Sequence, residues 1–547
     1  MRSSWKVLTL LSILLAGCGG GGGGSGGGGQ GTNSTANPTS SPNPTVTLDE
    51  SSRTINAECP ITQTLMPSGT RGDGMRIDDI SWLQTVQLDP DHPDTRMVAG
   101  KAIKLRVDLL ADTNPLSPLQ RIARIYDPVS KSCTDLALSG PSRVPASTNV
   151  ESLTSAYSVT IPAELVKPNM SVSVLFNDNT GRSVAEANQT YRVLRPVIRP
   201  AITETIRVIP IQLLTQQGSF SSSQDLSDLI TRLYPVTNVN VVVQQPFVLS
   251  SGLISSLISL LGGTYQGTIG QMQTLLSQLD DHCQSLNGNA NNSRTAPKCV
   301  ALLPSNLIFR PSGSTTSQIV GLAYVGGITM LTRSISSIDT GVTSPYLSGH
   351  WIGFDAMTFA HEYGHLLNLD HANCGSPSML DPRLYSDGRL GGGAGWDAVK
   401  DVYFSSQRQL NGQPQFADVM SYCGKEWMSD RGYLASLGYR SGSAYASGRL
   451  DAAQAQDQWL KISLTPDGWQ ARKVGFAPAT LRATELTLDV ESDMGLSQIA
   501  LRSAVVSEHE VTDNFGPFYV NIGQRKPHQL RVRSKGMELA RLPLNRN

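Results

Sequence analysis

His361-Glu362-Tyr363-Gly364-His365-Leu366-Leu367-Asn368-Leu369-Asp370-His371 is the stretch from which the rest of the chain is read. In a helix, residues four apart stand on one face, so His361 and His365 can present two imidazole nitrogens to a single metal ion. Glu362, beside the first of them, then reaches water on that ion rather than the ion itself. His371 lies six residues beyond His365, off the same face. The chain must therefore turn after Leu367 to bring a third imidazole to the same point.

An H-E-x-x-H helix is the arrangement of zinc hydrolases, in which the metal lowers the pKa of its water towards about 7 and the glutamate accepts the proton. With His371 added, the pattern resembles the metzincin clan of zinc endopeptidases, H-E-x-x-H-x-x-G-x-x-H followed downstream by a methionine-containing turn. One position departs from it. Asn368 stands where the clan has a glycine that ends the helix in a left-handed conformation. Asparagine is the non-glycine residue most tolerant of positive φ, so the turn is predicted to survive at modest cost. Phe416-Ala417-Asp418-Val419-Met420-Ser421-Tyr422-Cys423 reads as the second half of the signature, with Met420 as the apolar floor beneath the metal. Tyr422 matches a tyrosine that some metzincins place near the zinc.

The resemblance implies an α/β catalytic domain holding one catalytic Zn2+ on His361, His365 and His371. It also implies peptide-bond hydrolysis with Glu362 as general base and Tyr422 stabilising the oxyanion. It puts the antiparallel edge strand of the substrate cleft at Gly321-Leu322-Ala323-Tyr324, ahead of the helix, where an exposed edge can pair with an extended peptide. His-Ala-x-Cys-Gly after the third histidine and Met-Ser-Tyr-Cys in the turn resemble bacterial secreted or surface peptidases related to the mucin-degrading branch. A protein or glycoprotein substrate would follow. Met420 alone would be an ordinary core methionine, and His92, His282, His350, His509 and His528 have no comparable spacing and read as surface or packing residues.

At 547 residues the chain is too long for one core, and three or four domains are expected. Its 44 basic and 44 acidic residues cancel, with no basic run, so a nucleic-acid partner is not suggested. Arg2 and Lys6 precede a short apolar run, 7–16, that falls below the roughly 20 residues needed to span a bilayer and reads as a signal peptide. Leu15-Ala16-Gly17-Cys18 resembles the bacterial lipobox, which implies a lipid on Cys18 and an anchor outside the cytoplasm, at the outer membrane or cell surface. The alternative is an ordinary secretory signal. Six further cysteines fit an oxidising compartment. Sequence proximity pairs Cys59 with Cys133, Cys283 with Cys299 and Cys374 with Cys423, one choice among about 15 connectivities. The last pair would tie the segment after His371 to the methionine turn, a closure worth roughly 4 kcal/mol in the chain-entropy model.

After signal peptide 1–18, residues 19–54 are glycine, then Asn, Thr, Ser and Pro, and read as a flexible tether. Residues 55–200 carry alternating runs at 102–110 and 171–176 and read as an antiparallel β-sandwich. Residues 201–441 alternate strands and helices. The expected elements are strand 206–211, helix 225–234 capped by Ser223 or Asp225, strand 239–243, a half-buried helix over 253–261, helix 268–286, strand 299–309 and the helix beginning near Phe354. Residues 442–547 read as a second β-sandwich. No repeat or coiled-coil heptad indicates an oligomeric state. The whole reading is a multidomain chain with an α/β metzincin-like catalytic domain flanked by N- and C-terminal β-sandwich domains. Its competitors are a zinc peptidase with a downstream glutamate as third ligand, and a surface adhesin or binding lipoprotein whose zinc site is structural. Cys18→Ala is expected to move the protein from the membrane fraction to the soluble one, and unchanged partitioning would refute the anchor.

Overall fold

The central strand Thr203–Leu213 sends alternate side chains into two apolar cores, Ile206 and Val208 into one, Ile209, Ile211 and Leu213 into the other. A strand buried on both faces needs apolar residues at odd and even positions alike, which is why this run lacks a polar face. The computed structural model describes residues 52–542 apart from short stretches, the longest of which are 65–73, 89–95, 178–188, 443–457 and 508–516. All described residues belong to one compact unit, Asp49–Asn547. Cys18 and the tether up to residue 51 lie outside them, whereas Ser52–Ile55 already pairs with Ile61–Thr64.

The fold is β-rich and built from several sheets. In the central one, Asn238–Val243, Thr203–Leu213, Lys298–Leu303 and Thr329–Arg333 run parallel in that order, and Gly321–Ala323 lies antiparallel on the far edge. Five α-helices are described: α1 Ser223–Leu233, α2 Ser251–Ser256, α3 Ile269–Asn287, α4 Phe354–Leu366 and α5 Asp430–Ser441. Leu226, Leu229 and Leu233 of α1 and Met357, Phe359 and Ala360 of α4 share the core of Ile206 and Val208. Met272, Leu275, Leu276 and Leu279 of α3 share that of Ile209 and Ile211.

Local chemistry shifts several expected boundaries. Ser222, not Ser223 or Asp225, caps α1 by accepting from the Asp225 N–H at 3.0 Å. Thr268 and Gln271 form a reciprocal capping box at the start of α3. The helix expected over 253–261 is the shorter α2, after which Ile258–Ser259 pairs with Tyr265–Thr268. The strand expected over 299–309 is two, Lys298–Leu303 and Leu307–Arg310, since Pro304 has no N–H to continue a ladder.

In the N-terminal region, Arg76–Gln84, Ile103–Leu110 and Tyr157–Ile161 belong to a six-stranded antiparallel sheet. Gln120–Asp127 and Ser171–Asn177 belong to a four-stranded one. Val107, Ile125 and Val172 place both sheets on the same core. The larger sheet also takes in Ala394–Asp397 and Val402–Ser405, from far along the chain. The C-terminal sandwich expectation is corrected. Among the described residues the seven strands from Trp459 to Leu542 form one antiparallel sheet. Its first and last members in space, Gly468–Val474 and Met537–Leu542, lie against each other. Period-two alternation marks one buried face; it does not say whether a second sheet or the same sheet, twisted and curled, covers it.

Cys59–Cys133 and Cys283–Cys299 are bonded as expected. Cys374 is also disulfide-bonded, and Cys423, its expected partner, lies outside the described residues.

A buried ionic cluster joins the C-terminal sheet to α3. Lys461 Nζ donates to Asp280 Oδ2 at 3.1 Å, to Asp281 Oδ1 at 2.9 Å and to the Ser277 carbonyl at 3.0 Å. Tyr519 Oη donates to Asp280 Oδ2 and Thr329 Oγ1 to its Oδ1. Removing Lys461 strands the buried Asp280 carboxylate, so Lys461→Ala is expected to destabilise by about 3–5 kcal/mol in chemical denaturation. Glu538→Ala, which removes the surface pair with Arg541, should leave the midpoint unchanged; equal effects would show that the buried cluster does not hold the junction.

Candidate metal centre

His361 and His365 stand one turn apart on α4, and each Nδ1 faces a backbone carbonyl, Val419 O at 2.8 Å and Leu369 O at 2.7 Å. A carbonyl only accepts, so each ring carries its proton on Nδ1. Their unprotonated Nε2 atoms then face each other 3.2 Å apart. Burial first, then the neighbouring His371 and His361, push the His365 pKa well below its usual 6.5, so the ring is neutral. Two lone pairs at this separation repel unless a cation lies between them. A tetrahedral metal with nitrogen ligands at about 2.0–2.1 Å sets its donors roughly 3.3–3.4 Å apart. His371 completes a buried group whose three ligand atoms lie within 4.8 Å of one another. The donor set therefore fits a zinc ion.

The third histidine arrives by the turn at Asn368, whose φ is +66°. The Asn368 N–H donates to His365 O at 2.9 Å and the Leu369 N–H to Gly364 O at 3.1 Å, the two bonds of a Schellman ending. Its side-chain Oδ1 accepts from Thr480 Oγ1 at 2.6 Å, and Arg383 donates to its carbonyl. Arg383 is itself held by Asp381, with Nη2 2.6 Å from Oδ2. Asp381 in turn donates its N–H to His371 O at 2.8 Å. Gly326, just past the edge strand, donates its N–H to His365 O at 2.8 Å.

Below the histidines, Asp418 to Ser421 forms a tight turn, with the Ser421 N–H on Asp418 O at 2.9 Å and the Met420 N–H on Asp418 Oδ1 at 2.7 Å. Burial raises the Asp418 carboxyl to about 6, against hydrogen bonds from Ser429 and Met420 that lower it. Met420 is fully buried, and a Cβ at Gly364 would lie 2.3 Å from its sulfur, so only glycine lets it seat against α4. Tyr422 Oη lies 2.9 Å from His371 Nε2. That nitrogen has one lone pair, so the phenol must join or yield to any metal bound there.

Glu362 is buried against the edge strand: a Cβ at Gly321 would lie 2.4 Å from its Oε1. Its Oε2 accepts from Ser507 Oγ at 3.1 Å, and Ser507 Oγ accepts from the Ala323 N–H at 2.8 Å. The edge expected to be exposed is covered by the chain's own Val505–Ser507.

The structure thus brings together His361, Glu362, His365, His371, Met420, Tyr422 and the edge Gly321 to Tyr324. Cys59–Cys133 and Cys283–Cys299 bond in other parts of the fold. The sequence reading missed Ser507, Thr480 and Arg383. No short motif contains them: Thr480 and Ser507 come from segments 112 and 145 residues away, and Arg383 from the loop after His371. No family model matches the chain, and no curated protein matches it.

Purified protein is expected to carry one zinc per chain, and His371→Ala to lose most of it in elemental analysis. Equal zinc in the variant would overturn the three-histidine site.

Proposed function

We propose that the chain is a zinc-dependent endopeptidase of metzincin type, anchored by lipid outside the cytoplasm and acting on extracellular or envelope proteins. The observation that carries the reading is the buried three-histidine group, with two Nε2 atoms 3.2 Å apart on a helix that also bears Glu362 between them in sequence. A purely structural site has no need of a carboxylate at that position. One further fact agrees with export without requiring it: the disulfides.

A zinc ion on His361, His365 and His371, when bound, supplies Lewis acidity to a carbonyl and to water. Glu362 accepts the proton of the attacking water and returns it to the leaving amine. Its burial against Gly321 fixes the carboxylate beside the edge strand. Tyr422, already beside the His371 ring, donates its phenolic proton to the oxyanion. Met420 and the carbonyls of Val419 and Leu369 keep both helix histidines in place and in the right tautomer.

Glu362→Gln is expected to keep the fold and the zinc and to abolish cleavage of protein substrates, because an amide takes no proton at neutral pH. Tyr422→Phe should lower kcat by about 10²-fold with less change in KM, the pattern of a group acting in the transition state. Proteomic cleavage profiling of wild type against both variants, with zinc measured alongside, checks all three statements. Undiminished cleavage by Glu362→Gln would falsify the mechanism. A surface adhesin with a structural zinc would be indifferent to either substitution.

A further inference from the structure

The segment Val505 to Ser507 pairs antiparallel with Ala323 to Val325, at the end of the open edge of Gly321–Ala323, through one isolated bridge. Tyr324 stands opposite Val506, the Val325 N–H donates to Val505 O at 3.1 Å, and the Ser507 N–H donates to Ala323 O at 2.9 Å. An extended peptide binding to a sheet edge makes this same alternating set of main-chain bonds. Ser507 adds a side-chain contact to the pairing. Its hydroxyl accepts from the Ala323 N–H and so directs its proton to Glu362 Oε2. As a result Ala323, Val325 and Glu362 all have partners before any substrate arrives, and the residues from Gly321 to Val325 are buried.

We propose that Val505 to Ser507 is a self-inhibitory strand, which holds the sheet edge and the general base of this enzyme until an extended peptide displaces it. The inference rests on the peptidase reading for its consequence in activity, while the occlusion itself stands on the hydrogen bonds above. The segment is suited to leave on its own. It belongs to the connection between Gly495–Ala504 and Phe518–Asn521 and to no strand of the C-terminal sheet. The sheet is attached elsewhere, by Lys461 to Asp280 and Asp281, by Thr480 to Asn368 and by the Ala479 N–H to Gly326 O. Three backbone or hydroxyl bonds to the edge and one to Glu362 can therefore be exchanged for those of a peptide while the sheet stays docked, provided that the peptide also sets an apolar side chain where Val506 now lies in the core of Leu322 and Tyr324.

The test compares the full zinc-loaded chain with Ser507→Pro, which removes the N–H given to Ala323, and with the milder Ser507→Ala, which removes only the hydroxyl. Thermal midpoint and zinc content establish that each variant is folded. Three quantities are read: hydrogen exchange at the Val325 amide, binding of a fluorescein-labelled tetra-alanine hydroxamate by anisotropy, and hydrolysis of labelled casein. The expected result is a slowly exchanging Val325 amide in wild type and at least about tenfold faster exchange in Ser507→Pro. Hydroxamate binding and casein kcat/KM should rise by a similar factor, with smaller changes of the same sign in Ser507→Ala. If Ser507→Pro fails to fold, Ser507→Ala decides by the sign of its changes. Tighter hydroxamate binding without casein cleavage in any form would sink the peptidase reading and leave the occlusion standing. A Val325 amide already unprotected in wild type would overturn the occlusion. So would unchanged or weaker hydroxamate binding in the variants, or a fall in casein cleavage relative to an active wild type, since Ser507 would then belong to the working site.

Discussion

Everything at the candidate site depends on one left-handed residue. Asn368 at φ +66° is what allows a helix carrying His361 and His365 to stop and fold His371 back onto them. A side chain there is strained relative to glycine, and the surroundings compensate for it. Thr480 bonds the amide oxygen, Arg383 bonds the carbonyl, and the two Schellman bonds close beneath. Glycine could have made the turn but could not have accepted from Thr480. The asparagine thus converts a local turn into a point of attachment for the C-terminal sheet.

The central sheet explains why that turn is held so firmly. Each of its inner strands feeds two cores, so α4 and α3 are clamped to opposite faces of the same strands. The histidines ride on the face of Ile206 and Val208; the disulfide Cys283–Cys299 and the Lys461 cluster secure the other. A shift of α4 would disturb Met420 against Gly364 and Gly321 against Glu362 together, both contacts too close to admit a Cβ. Small residues at 321 and 364 are therefore part of how the base and the floor are positioned.

Much of this was legible in the sequence, and the reason differs by element. The spacing of His361, His365 and His371 encodes the site because helical geometry makes the first pair adjacent and obliges a turn for the third. Met420 and Tyr422 were legible through resemblance alone, and the structure seats Met420 against Gly364 of the histidine helix and Tyr422 beside His371. The strands at 206–211 and 239–243 and helix α3 showed by hydrophobic period. What stayed hidden was tertiary. Nothing in an alternating strand pattern distinguishes a curled sheet from a sandwich. Nor does it foretell that Ala394–Asp397 joins a sheet built some 300 residues earlier. Ser507 is 145 residues from Glu362, and one serine in a strand connection has no local mark.

The C-terminal sheet is consequently more than an appendage. Its contacts divide into two kinds with opposite mechanical character. The Lys461 cluster is buried and multiply bonded, the ammonium donating to Asp280, Asp281 and the Ser277 carbonyl while Asp280 also accepts from Tyr519 and Thr329, so that it yields only as a unit. The pairing of Val505 to Ser507 with the edge is a short ladder of ordinary hydrogen bonds, each worth only about 0.5–1.5 kcal/mol net, together with the burial of Val506, and an extended peptide with an apolar side chain can replace both. A chain held by one strong joint and one weak one opens at the weak one. That ordering places the site of exchange at the edge beside Glu362, while Thr480 stays on Asn368 and the histidine turn keeps its shape.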